Sequence, residues 1–449
     1  MKAAPSILIA AVTVVGAGAT TFGQSAAPPS LDPARQWNQF RGPTGDGRTP
    51  AIDVPIVFGE GQLVRWKTPI HDEGWSSPVV WGEQVWVTTA REDGTELFAV
   101  AVDLESGEIV HDIKVFDVAN PQVAWDGHNT HATPTPVIEE GRIYVHFGSY
   151  GTAALDTRTG EKLWERRDLN TDHRVRPASS PVLSGDSLFL AYDGVDRQFA
   201  AALDTRTGET LWLRNREVAT DFREKLRAQG ITDIESVLAA KPNDNRKAYA
   251  TSTLIEHEGQ RQLISPASEV TFAYDPETGD ELWRVVHEGW GWNLACRPVY
   301  AHGLVYFTQG VSRLLVAVDP GGSGDVTDTH VAWSESRGTP EIPSPIIVDD
   351  LLYMVSDTGG VVTALDATTG ERVWRARLPS GGDHWASPVA AEGRIYLTSR
   401  DGTVSVISAS REFELLAENE FDESLTASPA VVDGAIILRS EGHLYRISG

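Results

Sequence analysis

Short apolar runs recur along most of the chain, separated by polar turns rich in Gly and acidic residues. Val85–Ala90, Arg142–Gly148, Leu351–Asp357 and Arg394–Arg400 are examples, and their β-forming residues between turn signals mark each as a strand. Two phrases punctuate these runs. The first is DTRTGEKLW, spanning Asp156 to Trp164, which returns from Asp204 to Trp212, Asp275 to Trp283 and Asp366 to Trp374. A degraded copy runs from Asp103 to His111, and a stretched one from Asp319 to Trp333. An Asp side chain can bond the backbone two residues on, and Gly160 supplies the positive φ of a tight hairpin. The phrase therefore predicts a hairpin that delivers Trp164, Trp212, Trp283, Trp333 and Trp374 to the same place in successive sheets. There a flat indole can cover its neighbour. These are docking residues, with no expected part in chemistry.

The second phrase opens each repeat: Ser76–Val80, Thr133–Val137, Ser179–Leu183, Thr251–Ile255, Cys296–Tyr300, Pro343–Ile347, Ala386–Ala390 and Ala427–Val431. Proline is tolerated at the head of a strand, where no ladder bond is donated. Self-similarity every 40–50 residues signals a repeat architecture. The unit reads as four strands, A to D, with whole blades near 76–117, 133–170, 179–217, 248–289, 296–337, 342–380 and 385–423. The seventh lacks the Trp phrase. The C-terminus offers only three further strands, while Leu63–Ile70 is a strand without a hairpin partner. Joining the two seals otherwise exposed edges. The expected fold is an all-β, eight-bladed β-propeller of four-stranded antiparallel blades, its last blade closed by the N-terminal strand.

Three segments break the pattern. Residues 1–27 carry one charge, Lys2, an apolar stretch from Ile7 to Val15 and then small residues, the form of a signal peptide cleaved between about 19 and 27. A linker, 28–36, leads to an irregular, Gly- and Pro-rich stretch from Trp37 to Pro50, where the propeller of residues 37–449 begins. An insertion at 217–246 has apolar pairs four apart, Phe222 with Leu226 and Ile234 with Leu238, and predicts two short helices. A surface excrescence is favoured there over a lid.

Composition narrows the function. The formal charge of −25 argues against nucleic acid. No later run reaches the length of a transmembrane helix. Cys296 is the only cysteine, so an internal disulfide, a thiolate cluster and attached haem are excluded. The A–B and C–D hairpins share one face and carry brief acidic turns. The D-to-A crossings share the other face and hold His71, His128, His131, His173, His287 and His384 with Trp75, Trp125, Trp290, Trp292 and Trp385. Concave, aromatic-walled mouths are the default binding site. The candidate channel-mouth residues are His71, Trp75, Trp125, His128, His131, His173, Arg174, Arg176, Trp290, Trp292, Asn293, His384 and Trp385. Metal binding by His128, His131 and His173 with Asp126 or Asp172 matches no zinc spacing, and no metal site is assigned. Acid–base work by Asp172 or Asp383 lacks a nucleophile motif. Gly321–His330 reads as a turn, not a calcium loop.

The A-x-D-x-x-T-G-x-x-x-W phrase resembles the tryptophan-docking repeat of pyrroloquinoline-quinone (PQQ)-type β-propellers, which include quinoprotein alcohol dehydrogenases and the outer-membrane-assembly scaffold BamB. W-x-Q-F-R-G-P at Trp37–Pro43 and GWSSPVV from Gly74 most resemble secreted bacterial BamB-like proteins. The resemblance implies an exported, periplasmic or secreted monomer that binds a protein or small ligand in the cell envelope without catalysis. Its alternative is an oxidoreductase holding PQQ with Ca²⁺ at the crossing face; a metal-dependent hydrolase or lyase is a further one. The Cys–Cys pair of the dehydrogenases, the C-x-x-C-H haem motif and the lipidated cysteine of BamB have no counterpart here.

Overall fold

A computed structural model describes Met1 and residues 33–122, 129–216, 222–240, 242–287 and 291–449. The expected signal peptide, Trp125, Asp126, His128 and Trp290 lie outside the described residues. Eight antiparallel four-stranded sheets form an eight-bladed β-propeller. In blade 1 strands A to D are Val79–Trp81, Gln84–Ala90, Glu96–Asp103 and Ile109–Asp117. In blade 8 strands A to C are Ala430–Val432, Ala435–Arg439 and His443–Ser448, and Val64–Pro69 pairs antiparallel with the last of these as strand D. The start at Thr251, the least regular of the eight, opens a full sheet beginning at Thr253. In the insertion, helices span Phe222–Ala228 and Ile234–Ala240.

The repeated turns follow their local chemistry. Asp156 Oδ1 accepts from the N–H groups of Arg158 (2.9 Å) and Thr159 (2.8 Å), and Gly160 has φ +75°. Each indole then reaches the next blade. Trp164 Nε1 donates to Thr205 O (2.9 Å), Trp212 to Pro276 O (3.0 Å), Trp333 to Ala367 O (3.1 Å) and Trp374 to Ser410 O (3.0 Å). The stretched phrase of blade 5 changes this bond. Trp283 donates instead to Gln262 Oε1 (2.8 Å), whose Nε2 donates to Pro320 O (3.1 Å). The surplus residues place Gly324–Asp325 as a fifth, parallel strand on blade 4, opposite Trp283 and Arg284. His111 takes the indole's place in blade 1, its Nε2 2.9 Å from Thr157 O. Trp66, absent from the sequence reading of docking residues, reaches from blade 8 to Leu104 O of blade 1 (2.9 Å).

The largest departure from expectation is the stretch read as an irregular loop. Gln36–Trp37 lies inside the A strand of blade 1, opposite Trp81 and Val80, as a fifth and innermost strand. Trp37 and Arg41 are buried. The segment enters beside the A–B turn of blade 8, where Asp433 N–H donates to Ala34 O (2.8 Å). It leaves past the A–B turn of blade 7, where Val54 N–H donates to Glu392 Oε2 (3.0 Å). Between these points Ile138 N–H donates to Asn38 O (2.9 Å), and Ala390 N–H to Gly47 O (2.8 Å). Residues 36–49 thus stopper the channel from the hairpin face. Gly47, at φ +88°, runs so close to blade 7 that a Cβ would stand 2.8 Å from Pro388 O.

Arg297 holds this stopper. It is buried, donating through Nη1 to Phe40 O, through Nη2 to Gln39 Oε1 (3.1 Å) and through Nε to Thr253 Oγ1 (3.2 Å). Burial, then the positive charge of Arg41, lowers its pKa to about 9. Arg297→Ala leaves three acceptors without their donor. It is expected to destabilise the fold by about 2–3 kcal/mol and to raise the exchange rate of the amides of residues 38–47. Unchanged amide protection in that segment would contradict its role as the anchor.

Candidate functional site

At the other mouth of the channel the described residues frame a cavity, and its walls are built from equivalent positions of the blades. Two residues before each A strand begins stand Ser77, Thr135, Ser180, Thr251, Arg297, Ser344, Ser387 and Ser428. Their backbones and hydroxyls link blade to blade. Ser77 N–H donates to Thr135 Oγ1 (2.9 Å), Thr135 N–H to Ser180 Oγ (2.9 Å) and Ser180 N–H to Thr251 Oγ1 (3.0 Å). Beyond the break at Arg297, its own N–H donates to Ser344 Oγ (2.9 Å), Ser344 N–H to Ser387 Oγ (3.0 Å) and Ser387 N–H to Ser428 Oγ (2.8 Å). These Ser/Thr residues, all but Thr251 directly before a strand-opening proline, are therefore a girdle. Arg297 is the one basic residue in it, and it turns to the stopper.

A second tier lies two residues further back: Trp75, Thr133, Ala178, Tyr249, Ala295, Ile342, Trp385 and Thr426. All eight line a cavity of about 610 Å³ floored by Phe40 of the stopper. That size lies within the range of about 300–1,000 Å³ typical of small-molecule sites. The tiers have eightfold geometry, but the chemistry is two-sided. Trp75 of blade 1 and Trp385 of blade 7 meet edge to face, with ring centroids 5.7 Å apart. Thr426 belongs to blade 8, between theirs, and its Oγ1 is buried with no hydrogen-bond partner among the described residues. Across the ring, blades 4 to 6 and the insertion contribute Asp244, Lys247, Asn293 and Glu341. Lys247 Nζ donates to Asp244 Oδ1, and Asn293 Oδ1 is a second buried acceptor without a partner among the described residues. Burial, then the neighbouring charge of Asp357, raises the pKa of Glu341 against the pull of Arg313.

Of the residues expected at the mouth, Trp75, Asn293 and Trp385 line the cup. The others described lie behind or beside it. His71 is partly exposed, 2.7 Å from Asp72 Oδ2 and 3.1 Å from Asp112 Oδ1. Burial lowers its pKa, but the two carboxylates outweigh that and the net shift is upward. His131 is buried against Tyr150, and His173 accepts from Ser149 N–H (3.2 Å) and lies over Tyr192. His287 Nε2 is 2.9 Å from Thr271 Oγ1, and His384 is fully buried. Burial drives the pKa of His131, His173 and His384 down to about 4, and that of His287 to about 3. These rings are neutral packing groups between blades. Arg174 and Arg176 have φ +64° and +73° and turn away to Pro242 O (2.7 Å) and Asn129 O (2.6 Å), leaving Val175 on the cup. Trp292 packs edge to face on Phe222 of the insertion, ring centroids 5.2 Å apart. Residues the sequence reading passed over are Phe40, Tyr249, Thr426, Glu341, Lys247 and Asp244. The second tier was readable by counting two positions back from each girdle hydroxyl.

A tiered propeller with docked indoles points to a family, and its sequence model settles which. The model described as outer membrane protein assembly factor BamB matches residues 64–253 and 358–449, well over half of the chain. The chain belongs to the BamB family. It is 26% identical over 106 residues to the outer membrane protein assembly factor BamB of Salmonella typhimurium, covering 23% of this chain and 26% of that one. It is also 28% identical over 165 residues to the quinohemoprotein alcohol dehydrogenase of Comamonas testosteroni, covering 33% of this chain and 22% of that enzyme. The chain spans less than half the length of these curated relatives. A europium-containing methanol dehydrogenase shares the fold, with a TM-score of 0.66 at 13% identity, over 92% of this chain and 91% of that one. No helix among the described residues is long and apolar enough to cross a membrane.

The dehydrogenase kinship raises PQQ, a flat quinone bearing three carboxylates. The cup's described lining brings two carboxylates, Asp244 and Glu341, and a single ammonium, Lys247, which Asp244 already neutralises. Among the described residues, no group of three or more His, Cys, Asp or Glu side chains is placed to hold a metal ion. A tricarboxylate would lack counter-charge at this wall, and burying unpaired charge is costly. The described residues of the cup do not fit the cofactor.

Proposed function

We propose that this BamB-family chain is an exported, non-catalytic binding module of the cell envelope that takes a small ligand into the crossing-face cup. The observation that carries this reading is the stoppered channel. The chain's own residues 36–49 close one end and leave a walled cavity of about 610 Å³ at the other. Phe40, Trp75, Tyr249 and Trp385 supply apolar surface, and Thr426 and Asn293 supply unspent hydrogen-bonding capacity. The reading also accords with the leader-like residues 1–27 and with the name of the family.

Calorimetric titration of the purified protein with neutral, anionic and cationic small molecules tests it. Saturable binding is expected, weakened at least ~10-fold (about 1.4 kcal/mol) in Ala178→Trp, which fills the cup. Absence of any saturable ligand, or binding indifferent to Ala178→Trp, overturns the proposal. Stoichiometric absorbance from bound PQQ in the presence of Ca²⁺ would replace it with the oxidoreductase reading.

A further inference from the structure

We propose that the ligand class of the cup is a neutral saccharide, an inference that rests on the cup being the binding site. Three observations point the same way. The first is the division of the wall. Sugars present a face of C–H groups and an edge of hydroxyls, and an aromatic ring suits the first while carboxylate and amide groups suit the second. The indoles of Trp75 and Trp385 stand on blades 1 and 7, and the carboxylates and amide of Asp244, Glu341 and Asn293 stand on the side of blades 4 to 6.

The second observation is the orphaned acceptors. Thr426 is 9% exposed, and its Oγ1 makes no hydrogen bond among the described residues; Asn293 Oδ1, on the facing side, is likewise buried and without a partner among them. Buried polar atoms are rarely left unpaired, and exceptions in a cavity mark where a ligand or ordered water completes the set. Hydroxyl donors delivered from two sides at once describe a polyol better than a flat or apolar molecule.

Charge supplies the third. An anion would meet Asp244 and Glu341 with Lys247 already paired. An organic cation would seek the indole faces, the usual partners of such ligands. The guanidinium of Arg400 already occupies that role: its carbon lies 3.9 Å from the ring centroid of Trp385 and 5.8 Å from that of Trp75. Arg400 does not itself line the cavity, and its stacking leaves less free indole surface for a second cation. Neutral ligands escape both penalties.

The test titrates the full chain with glucose, galactose, N-acetylglucosamine, maltose and cellobiose, and with glucuronate, glucosamine and a non-sugar aromatic amide for contrast. At least one neutral sugar is expected to bind saturably. Its affinity should fall at least ~10-fold (about 1.4 kcal/mol) in Trp385→Ala and in Glu341→Gln, and its charged counterpart should bind at least ~10-fold more weakly than the neutral sugar. Thr426→Val, which removes one hydroxyl and no ring, keeps the test available if Trp385→Ala does not fold. Binding of a non-sugar in the cup, lost in Ala178→Trp, with no neutral sugar bound overturns the saccharide assignment and leaves the binding module standing. No saturable ligand of any class overturns both. A sugar that binds equally well to Ala178→Trp binds elsewhere and also overturns the proposal.

Discussion

Replacing Trp66 by alanine is expected to lower the unfolding free energy by about 3–5 kcal/mol, the usual cost of emptying a buried aromatic site. Several contacts converge on this indole, which spans the seam where the ends of the chain meet. Its Nε1 donates to Leu104 O, and it lies so close over Gly107 that a Cβ there would stand 2.6 Å from the ring. Gly107 also has φ +76°, so the turn beneath cannot readily accept another residue. Thr68 Oγ1 bonds Gly107 O (2.6 Å) and Arg446 Nη1 bonds Leu104 O (3.0 Å), tying both strands of the seam to blade 1. Trp66→Phe keeps most of the apolar contact and loses the hydrogen bond, so it should cost nearer 1 kcal/mol. Equilibrium unfolding in urea separates the two variants. Equal midpoints for alanine and wild type would mean that the seam is held by the ladder alone.

Acidification should destabilise the protein steeply, by roughly 10 °C in Tm between pH 7 and pH 5. Five histidines are buried in neutral form: His131, His173 and His384 with pKa values lowered to about 4, and His146 and His287 lowered to about 3. Burial is the largest cause in each. An unfolded histidine titrates near pH 6.5, so below that value the unfolded chain binds more protons than the folded one. Stability therefore rises with pH through this window and is lost as pH falls from about 6.5 towards 4. Every tenfold loss of proton affinity on folding corresponds to about 1.4 kcal/mol, so five such groups together rival the whole stability of an ordinary domain, about 5–15 kcal/mol. His71 works the other way, because its pKa is raised; its contribution is present below pH 6.5 and fades above, and partial exposure keeps it small. Differential scanning calorimetry across pH 4–8 reads the sum. A flat Tm from pH 7 to pH 5 would mean that these rings are hydrated.

The sheets were legible in the sequence because their signals are local. An Asp that folds its own turn and a Gly that must take positive φ act within five residues, so Asp156, Asp204, Asp275 and Asp366 announce four hairpins independently. Trp66 carries no such turn, since its ladder partner lies near the other end of the chain, at Arg446. The stopper was hidden for a related reason. Trp37–Pro50 has no periodicity because it packs as an irregular thread into a space that eight A strands create, and only the assembled ring explains its burial. The crossing-face histidines were misleading in a different way. Among those described, His131, His173, His287 and His384 are buried in the gaps between blades, whereas the cup takes residues two places before the girdle. Left-handed backbone at Arg174 and Arg176, which turns both guanidiniums away, follows from no pattern visible in TDHRVRPASS.

The route of residues 33–70 also sets an order on assembly. Residues 36–49 find their partners on blades that are synthesised after them, and Val64–Pro69 waits for His443–Ser448, the last strand in the sequence. This early part of the propeller is thus the last to be satisfied. Until the C-terminal residues arrive, an apolar thread containing Trp37 and Trp66 stays open to proteases and chaperones. The closing step joins residues nearly four hundred positions apart, Val64 with Ile447, making it the slow and vulnerable moment in maturation of this protein.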